Sequence, residues 1–249
     1  MRLPLCGTHL LSRLNKKSIA GGEKSPPVLI KGLKMNTIYI DKDLVVCEKP
    51  YGVSSQASDG ENMLELIKSA HDCDAFVVHR LDITTRGLMV YALNDSSAGN
   101  LCAQVASHAF KKEYLAIAHN NMPDEGEMVD FLYHDRIKNK SFVANNARKG
   151  AKEAHLRFKT LARVMHEGEC LSLVKIELLT GRTHQIRAQL SSRGFMLYGD
   201  GKYGAKDNDK IALYSHSIGF FHPKTKKWLS FSRFPESSGA WALFEDYLK

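Results

Sequence analysis

The stretch LSLVKIELLTGRTHQIRAQLSSRG, residues 171–194, holds two different periodicities back to back. Leu171 to Leu179 is an apolar run of strand length, broken by Lys175 and Glu177 and far short of the roughly 20 residues that a bilayer demands. Beyond Thr180-Gly181 the pattern changes. Thr183 is a good N-cap, Ile186 and Leu190 stand four apart on one face, and Gly194 suits the residue just past a helix end, so the spacing predicts a helix over Thr183 to Arg193. A long strand therefore runs into a helix through a turn crowded with Arg182, His184 and Arg187.

Outward from this segment the chain repeats the strand signal far more often than the helix signal. Runs rich in Val, Ile and aromatics predict strands at Thr37 to Ile40, Leu44 to Glu48, Phe76 to Val78, Leu88 to Leu93, Tyr114 to Ala118, Ala154 to Ala162 and Ala212 to Phe221. Two further helices are expected, over Asn62 to Ala70 and over Ser97 to His108, where Leu101 and Val105 repeat at i, i+4. Pro223 to Lys227 separates two aromatic strand-like segments and signals a hairpin. The expected class is α/β in the α+β sense, a central mostly antiparallel or mixed sheet with flanking helices. No glycine-rich phosphate loop of either common spacing is present.

The 249 residues are 43% hydrophobic and 25% charged, which is ordinary globular composition and excludes a fibrous or wholly disordered chain. Of the net charge of +8, most lies in residues 1–35, where seven Lys and Arg face one acid, Glu23. That segment is expected to be a disordered basic extension, whether an organellar targeting peptide, a plain basic arm or the product of a translation start misplaced upstream of Met35, with one catalytic domain over residues 36–249. An anionic partner of the body must then be met by a local cluster of charge. The five cysteines are odd in number and hold no Cys-x-x-Cys pair, so neither a disulfide framework nor a metal site is expected. A reducing compartment follows, the cytoplasm first and a mitochondrial or other organellar location second. No membrane partner is expected, and without a long apolar seam the chain is expected to be a monomer.

Three constellations carry chemistry. His79-Arg80-Leu81-Asp82 sits between strand-like runs, followed by Thr84-Thr85-Arg86-Gly87. Asp82 is either the backbone-binding Asp of a turn, a common use of that residue, or a nucleophile or base that needs a cation beside it to stay ionised once desolvated. The second is Gly181 to Arg187, whose cations near a helix start point to an anionic substrate or a buried carboxylate, unless the charged face is simply hydrated. The third is Lys111-Lys112-Glu113-Tyr114, an aromatic ring beside a basic pair, suited to stacking on a nucleobase and holding its phosphates.

Together these pieces resemble the RluA-type RNA pseudouridine synthases. The likeness rests on His79-Arg80-Leu81-Asp82 with Thr85 and Gly87, on Lys112-Glu113-Tyr114, on Gly181 to Arg187, on Gly199-Asp200 with Tyr203-Gly204, and on the opening Glu48-Lys49-Pro50-Tyr51-Gly52-Val53, all in the family's order. The resemblance implies a pseudouridine synthase fold, a cleft for a uridine flipped out of structured rRNA or tRNA, and neither metal nor organic cofactor. It implies Asp82 as nucleophile, Tyr114 against the uracil, Arg187 paired with Asp82, and His79, Arg80, Thr85, Arg182, His184 and Gln185 as substrate-binding residues. Arg86 and Met196 depart from common family residues, and His119-Asn120-Asn121 follows Tyr114's strand without the usual glycine. A catalytically silent RNA-binding relative is the alternative, and a hydrolase using Asp82 and His184 a more distant one.

Overall fold

The computed structural model describes residues 28–30, 33–145 and 148–249. The basic leading segment falls mostly outside them, but its described part is strand. Val28–Ile30 (β1) pairs with Leu33–Ile40 (β2), so the sheet begins upstream of residue 36. There follow Leu44–Lys49 (β3), helix Met63–His71 (α1), Phe76–Val77 (β4), Arg86–Ala92 (β5), helix Asp95–Ala106 (α2), Lys111–His119 (β6), Glu125–Asp135 (β7), Lys140–Ala144 (β8), Lys152–His166 (β9), Glu169–Leu178 (β10), helix Gln185–Ser191 (α3), Leu213–Phe221 (β11) and Trp228–Ser232 (β12). The sheet order is β1-β2-β3-β5-β11-β6-β10-β9-β7-β8, with β4 on β5 and β12 on β11. Of these pairings, β5 with β11 is parallel and the rest are antiparallel. This is the mixed, largely antiparallel α+β sheet expected.

The continuous apolar runs arise because the central strands are covered on both faces. Val45 and Cys47 of β3 and Met89 and Tyr91 of β5 pack with Met63, Leu66 and Ile67 of α1 and Ile186 and Leu190 of α3. Their neighbours Leu44, Val46, Leu88 and Val90 face the other way, onto Leu101 of α2, Phe110 and Phe220. Under the second half of the sheet that other face is closed by Ala240 and Phe244 of a C-terminal 3-10 segment. Helix starts follow their caps: Asn62 accepts from the Glu65 amide at 3.1 Å and Asn94 from the Ser97 amide at 2.9 Å, placing α2 two residues upstream of the expected Ser97. Among the described residues no helix is long and apolar enough to cross a membrane.

Two features escaped the sequence reading. The β7–β8 hairpin has a weak apolar signal, since little beyond Met128 and Leu132 of β7 is buried, and its turn is set by Asp135 accepting from the amides of Ile137 and Lys138, both at 3.0 Å. The second is the cluster of Asp41, Asp43 and His222. His222 meets Asp41 at 2.8 Å through Nε2, while its Nδ1 accepts from the amides of Lys224 and Thr225, so the imidazole ties the β2–β3 turn to the β11–β12 turn.

Gly87 lies where β5 runs parallel to β11, with φ +115°, and a Cβ there would lie 2.4 Å from the Ser215 carbonyl oxygen. Gly87→Ala is expected to lower stability by at least about 2 kcal/mol, from backbone strain plus steric overlap. Denaturant unfolding checks this, and an unchanged midpoint would show that the two strands separate freely.

Candidate active site

The loop between β4 and β5 is pinned from several sides. The Ser55 hydroxyl accepts from the Leu81 amide at 3.0 Å and donates to the Leu81 carbonyl at 2.8 Å, and the Tyr91 hydroxyl in turn holds the Ser55 carbonyl at 3.0 Å. The Gly52 amide and the Lys49 ammonium both reach the Ile83 carbonyl, at 2.9 and 3.1 Å, and the Thr85 amide closes onto the Asp82 carbonyl at 2.9 Å. Asp82 is thus presented by a rigid backbone, one quarter of its side chain exposed.

Lys49 carries much of this. It is fully buried, and its ammonium also donates to the carbonyls of Val53 at 2.7 Å and Pro50 at 2.9 Å. Burial pushes its pKa down to about 7, the charge on Asp82 opposing the shift and that on Arg86 adding to it. In the unfolded chain a lysine keeps its proton up to about pH 10.4. Between these values the unfolded state therefore binds the extra proton, so this group makes the fold more stable as pH rises. The unfolding free energy of wild type minus that of Lys49→Met is expected to grow from about pH 7 upward, by at most about 1.4 kcal/mol per pH unit. A flat difference in urea melts would show that the lysine is not desolvated.

Arg187 comes to Asp82 from α3, 105 positions away in the chain, with Nη1 at 3.3 Å from Oδ2. Its firmer partner is Asp200, gripped through Nε and Nη2 at 2.7 Å each in a bidentate pair almost closed to solvent. The guanidinium also stands 5.0 Å over the ring of Tyr203. Against the cost of burial, the hydrogen bond and charge of Asp200, helped by Asp82, hold the Arg187 pKa above its ordinary value, so it stays a cation. His184 lies on the same side, Nε2 3.7 Å from Asp82 and Nδ1 3.2 Å from the Tyr203 hydroxyl. Burial lowers its pKa, the positive charges of Arg187, Lys202 and His134 reinforcing the shift and Asp82 opposing it. Tyr114 rises from β6, buried, and burial together with the charge of Asp82 holds its phenol protonated well above the usual range.

The turn before α3 differs from the expected one. Thr183 is not the N-cap; His184 takes that place in the left-handed region, φ 53°, without a side-chain cap, and the helix runs Gln185–Ser191. Gln185 supplies the missing order. Its Oε1 accepts from the Thr180 hydroxyl at 2.8 Å and the Arg182 amide at 3.0 Å, and its Nε2 donates to the His155 carbonyl at 3.1 Å. The Ser141 hydroxyl, on the unanticipated β8, donates to the Thr183 carbonyl at 2.6 Å. Gln185 is thus buried scaffold.

Other expected contact residues separate. Arg80 is exposed, with Nη1 3.4 Å from the Gln56 side-chain oxygen, and Arg182 is exposed with Nε on the Glu153 carbonyl at 2.7 Å. Thr85 is buried at the loop's closure. His79 turns into the core, where it lies 5.2 Å from the Phe110 ring and its Nε2 accepts from the Val90 amide at 3.2 Å. Burial pushes its pKa down to about 3, the charge of Lys112 adding to the shift, so it is a neutral imidazole held in the core. Lys49, Asp200 and Tyr203 were visible only as motif letters in the sequence; their partners are set through space.

Residues 43–192 match the family described as RNA pseudouridylate synthase. The chain is 30% identical over 254 residues to ribosomal large subunit pseudouridine synthase C of Buchnera aphidicola subsp. Baizongia pistaciae, covering 86% of this chain and 79% of that protein. It is 30% identical over 219 residues to the uncharacterized RNA pseudouridine synthase YlyB of Bacillus subtilis, covering 82% and 70%. Among solved structures, human RNA pseudouridylate synthase domain containing 1 superposes with a TM-score of 0.70 at 20% identity, over 82% of this chain and 84% of that one. Human RNA pseudouridylate synthase domain containing 4 gives 0.65 at 22%, over 80% and 88%. These two likenesses speak to the fold.

Proposed function

Because the chain belongs to the RNA pseudouridylate synthase family, we propose that Asp82 is the nucleophile with which it isomerises uridine in RNA. The activity is that of an RNA pseudouridine synthase, an isomerase with RNA as substrate. The observation that carries the residue assignment is the 3.3 Å pairing of Asp82 with Arg187, drawn from a loop and a helix far apart in the chain, with the buried Tyr114 near enough to feel the charge of Asp82.

The reaction breaks the bond between N1 of uracil and C1′ of ribose, turns the freed base, and joins C5 to C1′. The proton that leaves C5 balances the one that N1 gains, so nothing is added or lost. Asp82 serves as an anion, whether it adds to C1′ or takes the C2′ proton, with the Arg187 cation 3.3 Å away. Arg187 does not collapse onto Asp82, because Asp200 holds two of its three nitrogens. Once Asp82 is esterified or protonated, one cause of the raised Tyr114 pKa disappears, and the phenol becomes better able to pass on the C5 proton. We assign the exposed Arg80, on the same loop as Asp82, to filling the stack that a flipped uridine vacates.

We further propose structured ribosomal RNA as the substrate, because the relative of Buchnera is named for the large ribosomal subunit. Transfer RNA is the competing class. Mapping pseudouridine in total RNA from cells with and without the gene tests this: loss of one or a few rRNA positions is the expected result, and losses confined to tRNA would reassign the substrate.

A further inference from the structure

Lys112 stands two residues before Tyr114 on β6 and therefore on the same face of the strand. Its ammonium is tucked against the Gly181 turn, where a side chain at position 181 would start only 3.3 Å from Nζ. Glycine leaves that ammonium uncovered. Burial lowers the Lys112 pKa with no carboxylate opposing it, and among the described residues it makes no hydrogen bond or ion pair. Glu113 pairs with Lys175 at 3.2 Å and Glu177 with Arg157 at 3.9 Å. A cavity of about 260 Å³ opens beside it, bounded by Lys111, Lys112, His155 and Thr180 and also by the acidic residues Glu153 and Glu177.

Lys112 is half-buried, and a partly desolvated cation without a partner gains when a ligand supplies the missing charge. A nucleotide extruded from its stack must rotate about its own backbone, and the flanking phosphates are what an enzyme holds while it turns. Lysine offers a compact point charge for that purpose. We propose that Lys112 binds the backbone phosphodiester next to the uridine that enters the Asp82 site. This assignment rests on the RNA pseudouridine synthase reading.

The test pairs Lys112→Met with a short uridine-containing stem–loop RNA carrying one neutral methylphosphonate at each linkage around the uridine in turn. Kd is followed by fluorescence anisotropy and pseudouridine formation by tritium release from C5. At one linkage the wild type is expected to lose about tenfold in Kd, as Lys112→Met does on unmodified RNA, with no further loss when the two are combined. Lys112→Met should melt at or above the wild-type temperature, since it removes an unpaired, half-buried charge, and Lys112→Arg should restore part of the binding. Losses that multiply at every linkage, or a Lys112→Met protein that melts several degrees lower, overturn the phosphate site. A chain that shows the coupling in Kd yet leaves uridine unchanged keeps the site and overturns the reaction.

Discussion

Asp82→Asn is expected to lower pseudouridine formation by at least about 10⁴-fold, roughly 5.5 kcal/mol of barrier, because the amide is a poor nucleophile and a poor base. The fold should survive. One quarter of the Asp82 side chain is exposed, and Arg187 keeps its bidentate partner Asp200 when Asp82 loses its charge. RNA affinity should stay within a few-fold of wild type, since the phosphate and stacking contacts that draw RNA to the protein are untouched. Release of tritium from C5-labelled RNA measures the chemistry, and anisotropy with the same RNA measures binding. Turnover near the wild-type rate would remove Asp82 from the mechanism; loss of binding and turnover together would give it a structural role instead.

Arg187→Met is the second large effect, and it acts on stability as well as rate. The change leaves the Asp200 carboxylate, 1% exposed, without its counter-charge. Breaking one partner out of a buried ion pair costs about 3–5 kcal/mol. Adding Asp200→Asn supplies a neutral side chain of the same shape and should recover part of the stability without recovering activity. Urea melts of the wild type, the two single variants and the double variant form the cycle. Additive losses would mean that the two residues are not energetically coupled.

The Asp200 partnership shows where reading along the chain reaches its limit. The Arg187–Asp82 pair follows from a resemblance carried by motif letters, and the structure has it at 3.3 Å. Yet the tighter contact of Arg187 is with Asp200, which the sequence shows only as part of Gly199-Asp200 with no stated partner. His79 errs in the other direction. Standing three residues before Asp82 in a polar cluster, it suggests a substrate contact, but the adjoining strands turn it into the core beside Phe110 and Val90. Thr183 has the chemistry of a cap and is displaced from that role because Gln185 and Ser141, the latter from a distant hairpin, hold the turn instead.

What residue order alone determined is local. It set the continuous apolar runs of strand length that both-face burial demands, the Asn caps available to start α1 and α2, and the presence of a carboxylate, a phenol and a guanidinium in matching motifs. The tertiary structure alone decided which of those groups meet and in what charge state. Hydrophobic periodicity is a property of neighbours in the chain, whereas Coulomb energy and desolvation depend on distance and burial in space, whatever the separation in sequence. Arg187 and Lys49 therefore take their roles from packing: the first is held charged between two acids, the second forced toward neutrality over three carbonyls.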